Sequence, residues 1–304
     1  MKRLLITGAR GFVGRHCLIP ALEAGFKVHA LGSSAGVPPE LQYDGVTWHV
    51  GDLLADGTAR SLIEQLRPTH VLHAAWITAH GSYWTSSENL RWLAAGTRLV
   101  EAFAATKGRR FVSVGTCAEY EWTQGEMREG VTPEWPATFY GAVKLAHASM
   151  IQAAARQFKF SAATGRIFFA YGPHENAERI IPYACRQLCE GKEAKFASGR
   201  FWRDFCHVTD VARGFIALLD SEIEGPCNVC SGSASQLSDI VTSLGRICGR
   251  ENLIRLCALP DRPGDPPILV GDNQLLRSTG WKPKVSLEEG LRLTMDWWKH
   301  KQER

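Results

Sequence analysis

In the run "YGAVK", Tyr140 and Lys144 stand four residues apart, which on a helix puts both side chains on one face. A phenol titrates near about 10, too high for proton exchange at neutral pH. A neighbouring ammonium favours the phenolate and lowers that value, so Tyr140 beside Lys144 is expected to be a usable proton donor or acceptor. The pattern alone is common by chance. A second cluster gives it company: "RFVSVGTCAEYEW", residues 110–122, begins as a buried strand and ends in Thr116, Cys117, Glu119 and Tyr120. In open parallel sheets ligands bind at the carboxyl ends of strands. The Thr116 hydroxyl is therefore placed to hydrogen-bond an oxygen whose carbon is being oxidised or reduced.

A redox step needs a hydride carrier, and "TGARGFVG" offers a place for one. Gly8, Gly11 and Gly14 fall between a predicted strand and a predicted helix, with Arg10, Phe12 and Val13 completing a loop that brings a pyrophosphate close to the backbone. The residue closing the second strand decides between dinucleotides, because an acid there accepts from the adenosine ribose and repels an added phosphate. That residue is Gly32, followed by Ser33 and Ser34, and Arg10 can reach the same region as a charge-assisted donor. NADP is expected over NAD. Asp52, with Leu53 after it, closes the third strand, where its carboxylate can accept from the adenine amino group. Lys144 can also hold the nicotinamide ribose.

These groups must be carried by a sheet. Apolar runs "RLLIT", "KVHALG", "VTWHVGD", "HVLHAA", "RFVSVGT" and "SAATGRIFFAYG" alternate with helical stretches at 14–24, 61–66 and 89–105. The expected fold is α/β: a doubly wound parallel sheet of the Rossmann type covered on both faces, with a smaller, discontinuous substrate-binding region. After Gly172 the elements shorten and Pro and Gly become frequent, as in "YGPHENAERIIP" and "DRPGDPP". Residues 1–170 are assigned to dinucleotide binding, and 203–231, beginning at "RDFCHVTDVARGFIALLD", are expected to return to that sheet as a strand and helix. Residues 171–202 and 232–304 form the second region.

Composition bounds the partners. The 304 residues are 45% hydrophobic and 22% charged, and no run of about 18 apolar residues is present, so no membrane span is expected. The apolar run after "MKR" is too short for a signal peptide and leads straight into the glycine loop. A net charge of +4 without a basic stripe favours anionic small molecules over nucleic acid. Nine cysteines in no regular framework fit a reduced cytoplasmic protein. The C-x-x-C at Cys227 and Cys230 places its thiols on opposite faces of a strand, which suits packing rather than metal binding.

Taken together, the glycine loop, "GDL", "HAA", "NLRWLAAGTRLVEA", the threonine strand end, "YGAVK", "YGP", "RDFCHVTDVA" and "RPGD" resemble an extended short-chain dehydrogenase/reductase of the nucleotide-sugar epimerase, dehydratase and ketoreductase group. That resemblance implies a catalytic triad of Thr116, Tyr140 and Lys144, and places Ala74 and Ala75 along the cofactor. It assigns Arg203 and Arg262 to the substrate diphosphate, with Thr116 and Cys117 facing the sugar. It also implies a homodimer through the helices bearing Asn89 and Tyr140. Two departures stand out. Relatives often have Asn before "YGP", where this chain has Phe168 and Phe169. Dehydratases place Asp and Glu directly after the threonine, where this chain has Cys117 and Ala118, so elimination of water is not expected. Glu119 is left either pointing into the site or solvated. The expected activity is an NADP(H)-dependent reduction of a nucleotide-linked 4-keto-6-deoxy sugar. The alternatives are a 4-epimerase with tightly bound NAD and a non-catalytic dinucleotide-binding regulator.

Overall fold

The computed structural model describes residues 2–79 and 81–302. Its main sheet is built from β1 (Arg3–Thr7), β2 (Lys27–Gly32), β3 (Val46–Val50), β4 (His70–His73), β5 (Arg110–Thr116), β7 (Ser161–Ile167) and β11 (Gly225–Val229). All pairings are parallel, in the order β11-β7-β5-β4-β1-β2-β3. Strands buried on both faces must be apolar almost throughout, and β1 is buried from Leu4 to Thr7. One face is covered by α1 (Phe12–His16), α2 (Leu18–Glu23), α7 (Val208–Leu219) and the short α9 (Gln274–Arg277). The other is covered by α3 (Thr58–Leu66), α4 (Glu88–Ala105) and α5 (Phe139–Phe158). The single helix expected over 14–24 is two segments, because Pro20 has no N–H to give the His16 carbonyl.

The direction of growth reverses between β1 and β4, and a crevice opens there at the carboxyl ends of the strands. A smaller sheet stands beside that edge. It is formed by β6 (Glu126–Met127), β8 (Phe169–Tyr171), β10 (Trp202–His207), β12 (Ala234–Gln236) and β14 (Ile268–Gly271). It packs with α6 (Ile180–Cys189), α8 (Leu237–Cys248) and α10 (Leu287–Gln302) around a separate core. A two-stranded ladder of β9 (Ala194–Lys195) and β13 (Ile254–Arg255) closes its outer side.

The segment expected to rejoin the main sheet as strand and helix divides between the two layers. Its strand, β10, pairs with β8, β12 and β14 in the smaller sheet, whereas α7 and β11 after it belong to the main one. The reason is local: β7 turns at Phe168 into β8, which leaves the main sheet and supplies β10 with a partner. Cys227 packs in the main core, and Cys230 packs with Cys117, Tyr120 and Phe168 in a small cluster joining the two layers.

Phe215 of α7 lies fully buried against Gly165 of β7, whose missing Cβ leaves room for the ring. Phe215→Ala is expected to cost about 3–5 kcal/mol in denaturant unfolding, since it leaves a cavity in the main core where the ring stood.

Candidate active site

The crevice is a cavity of about 960 Å³ running from the glycine loop to the smaller sheet. At its first end the chain leaves β1 and turns at Gly8, with φ +66°. A Cβ there would stand 2.7 Å from the Ala75 nitrogen, and one on Gly14 would collide with the Gly8 carbonyl. Loop, helix and the end of β4 therefore meet backbone to backbone, leaving an open floor that suits a pyrophosphate. Gly11, Phe12, Val13, Ala74 and Ala75 all line it.

At the adenosine end, Arg10 lies across Gly32. A Cβ on Gly32 would come within 2.7 Å of the Arg10 Nε, which is buried without a hydrogen-bond partner among the described residues. The guanidinium donates to Ser34 Oγ and stacks 5.9 Å from the Trp48 ring centroid. Ser33 is on the cavity wall, and Ser34 serves as the acceptor for Arg10. Asp52 and Leu53 also line the cavity, with Asp52 Oδ1 accepting from the Leu54 N–H at 2.9 Å.

The reacting end gathers Thr116, Tyr140 and Lys144 from β5 and α5 onto the same wall. Thr116 caps a short turn, Cys117–Glu119, by accepting from the Ala118 N–H at 3.2 Å. The Tyr140 ring is held edge-on by Tyr83 at 4.9 Å and Trp84 at 5.6 Å. The expected lowering of its pKa by Lys144 is corrected here. Burial pushes the phenol up, with Tyr83 and Glu119 adding to the rise and the Thr116 hydroxyl opposing it. The Lys144 ammonium does not act among the causes of that shift: it donates to the Val114 carbonyl and lies 4.1 Å from the Trp76 ring centroid. Burial in turn lowers Lys144 to about 8. Tyr140 therefore keeps its phenol proton in these surroundings. Burial first, then Asp204 and Glu119, raise the Cys117 thiol to about 12, so it remains a thiol.

At the far end, Arg203 and Arg262 line the cavity. Arg203 is buried, 3.3 Å from Asp265, and donates to the Trp202 and Pro266 carbonyls. Arg262 is exposed. Arg179, which no motif singled out, joins them from the loop after β8. Trp84 and Trp122 were missed likewise; their rings meet at 6.1 Å beside Tyr140, on loops that carry no periodic signal. Phe168 and Phe169 also face the cavity. Glu119 does neither of the things expected of it: it is fully buried and ion-paired with Arg166 at 2.8 Å.

A sequence profile of the NAD dependent epimerase/dehydratase family matches residues 4–230. The chain belongs to that family. It is 25% identical over 315 residues to the mouse dTDP-D-glucose 4,6-dehydratase, covering 98% of this chain and 89% of that protein. It is also 25% identical to a trifunctional Arabidopsis thaliana UDP-glucose 4,6-dehydratase, 3,5-epimerase and UDP-4-keto-L-rhamnose-reductase. That match takes in 98% of this chain but 47% of the longer relative, so the chain spans about half its length. Among solved structures, the Thermus thermophilus UDP-glucose 4-epimerase in complex with NAD superimposes with a TM-score of 0.84 at 26% identity, covering 98% and 99% of the two chains. These relatives are nucleotide-sugar epimerases and dehydratases, and this chain, as a member of the family, is an oxidoreductase-type enzyme.

Tyr140→Phe removes the phenol hydroxyl and leaves the glycine loop untouched. It is expected to bind dinucleotide within twofold of the unaltered protein and to lose turnover by about 100-fold or more, read by fluorescence titration and steady-state rates.

Proposed function

We propose that the protein is an NADP(H)-dependent reductase of a nucleotide-activated 4-keto-6-deoxy sugar, acting at carbon 4. The observation that carries this reading is Arg10 lying across Gly32, where a ribose-binding acid would otherwise stand. A guanidinium and adjacent serines suit a ribose phosphate.

When bound, the reduced nicotinamide supplies the hydride. Thr116 hydrogen-bonds the carbon 4 oxygen, and Tyr140, kept protonated by its surroundings, gives that oxygen its proton. Lys144 is the group that would hold the nicotinamide ribose. Arg179, Arg203 and Arg262 provide the cations for the substrate diphosphate. Tyr83, Trp84 and Trp122 offer apolar faces to a sugar whose carbon 6 bears no hydroxyl. Cys117 and Ala118 leave no acid and base for elimination, so dehydration is not assigned.

The second reading is a 4-epimerase holding NAD, favoured by the likeness to an NAD-bound 4-epimerase. It would use the same three residues to oxidise and re-reduce one carbon. A non-catalytic regulator is disfavoured by the retention of all three. A homodimer through α4 and α5 is part of the proposal, checked by sedimentation equilibrium.

Purified protein supplied with NADPH and, separately, UDP-, dTDP-, GDP- and CDP-linked 4-keto-6-deoxyhexoses is expected to consume NADPH in proportion to product with one of them. Copurified NAD, no consumption with any keto sugar and interconversion of two 4-hydroxy epimers would transfer the assignment to the epimerase. Gly32→Asp displaces Arg10 and restores the acid, so it is expected to reverse the cofactor preference. A tenfold preference of the unaltered protein for NADH, about 1.4 kcal/mol, would remove the role given to Arg10.

A further inference from the structure

The Glu119 carboxylate lies beneath the reacting centre rather than in it. Its Oε1 accepts from the Thr116 N–H at 2.9 Å, and its Oε2 accepts from Arg166 Nε at 2.8 Å. Arg166, on β7, is itself buried and donates a second time to Glu134 at 2.7 Å. The guanidinium also stacks 4.3 Å from the centroid of Tyr120, whose hydroxyl donates to Asn228 at 2.8 Å. One ion-paired chain thus joins the end of β5, the next strand of the sheet and the segment that leads into α5.

That segment matters because α5 begins on the same turn. Thr138 caps the helix by accepting from the Gly141 N–H at 3.1 Å. A Cβ on Gly141 would collide with the Ala118 carbonyl. The turn fixed by Glu119 is therefore the surface on which the residue after Tyr140 rests. Glu134 holds the approach to it from the other side, and the Glu121 N–H donates to the Pro133 carbonyl at 2.8 Å. A carboxylate placed here fixes two things at once: the backbone of Thr116 and the seat of Tyr140.

We infer that Glu119, locked by Arg166, is the positioning residue of the reacting centre, setting the spacing of Thr116 and Tyr140 without touching substrate. Resting on the catalytic roles proposed above, the inference adds an electrostatic consequence. Burial and then Tyr83 oppose ionisation of the phenol, and Glu119 is the carboxylate that adds to them, with Cys117 adding less and the Thr116 hydroxyl acting against them. The Glu119 charge disfavours phenolate. Arg166 limits this effect by pairing with the same carboxylate, and burial, which by itself lowers the guanidinium, is outweighed by Glu119 and Tyr120.

The test compares Glu119→Gln and Glu134→Gln with the unaltered protein. Glu119→Gln is expected to lower kcat about tenfold, with KM and the dinucleotide Kd within twofold. The basic limb of the kcat profile is expected to move to lower pH, because a neutral amide no longer opposes phenolate. Glu134→Gln, at an exposed position, is expected to lower kcat about threefold with KM unchanged, and it decides the matter if the buried variant does not fold. Unchanged kcat and an unchanged profile in a folded Glu119→Gln, or full kcat in Glu134→Gln when the first variant is unfolded, overturns the inference. A parallel readout needs no turnover. In protein labelled with 13Cζ-tyrosine and saturated with whichever oxidised dinucleotide it binds, the Tyr140 resonance, assigned with Tyr140→Phe, is expected to titrate at lower pH in Glu119→Gln. If the unaltered protein reduces no keto sugar, the functional reading fails, while this titration still decides the role of Glu119.

Discussion

Backbone meets backbone along the carboxyl edge of the main sheet, and the site depends on that contact. Gly8 closes on Ala74 and Ala75, Gly14 on Gly8, and Gly141 on the carbonyl of Ala118. Each approach is closer than a Cβ allows. The first two lay down an uncluttered floor for a pyrophosphate beside the sheet's switch point, and the third seats the helix carrying Tyr140 and Lys144 against the strand carrying Thr116. A side chain at any of these positions would move a whole element, not only itself, because interiors packed to crystal density have no slack to absorb it.

Buried charge provides the second level of order. A carboxylate and a guanidinium withdrawn from water are costly unless each is paired or hydrogen-bonded, and losing one partner of a buried pair costs about 3–5 kcal/mol. Glu119 and Arg166 are paired, and Asp210 pairs with Arg213 while accepting from the Lys284 and Val285 N–H groups; Asp204 is held by hydrogen bonds alone, from Ser231, Gly232 and Gly271. Asp204 and Asp210 fasten the smaller sheet and the last helix to the frame. Lys144 is the contrasting case: its ammonium is buried on a carbonyl and an indole face rather than on a carboxylate.

Much of this was legible in the chain. The strands of the main sheet announce themselves as short apolar runs, the glycine spacing marks the turn after β1, and Tyr140 and Lys144 declare a shared helix face. Less legible was anything depending on distant partners. Glu119 reads as a loop carboxylate until Arg166, 47 residues on, is brought beside it by the pairing of β5 with β7. The sheet to which β10 belongs is decided by where β8 goes, and no local pattern encodes that. Arg179, Trp84 and Trp122 stand on loops whose course is set by the elements around them. The electrostatic effect of Lys144 on Tyr140 was misjudged for a related reason: helical spacing places two residues on one face but does not say which acceptor the longer side chain will reach.

In the proposed reaction, hydride leaves the cofactor for carbon 4 of the sugar and does not return. NADPH deuterated at the transferring position of carbon 4 of the nicotinamide tests this directly, with the sugar product examined by mass spectrometry and NMR. One deuterium at sugar carbon 4 is expected for each NADP released. A product that changes configuration at that carbon with no deuterium gained and no NADP formed would contradict it.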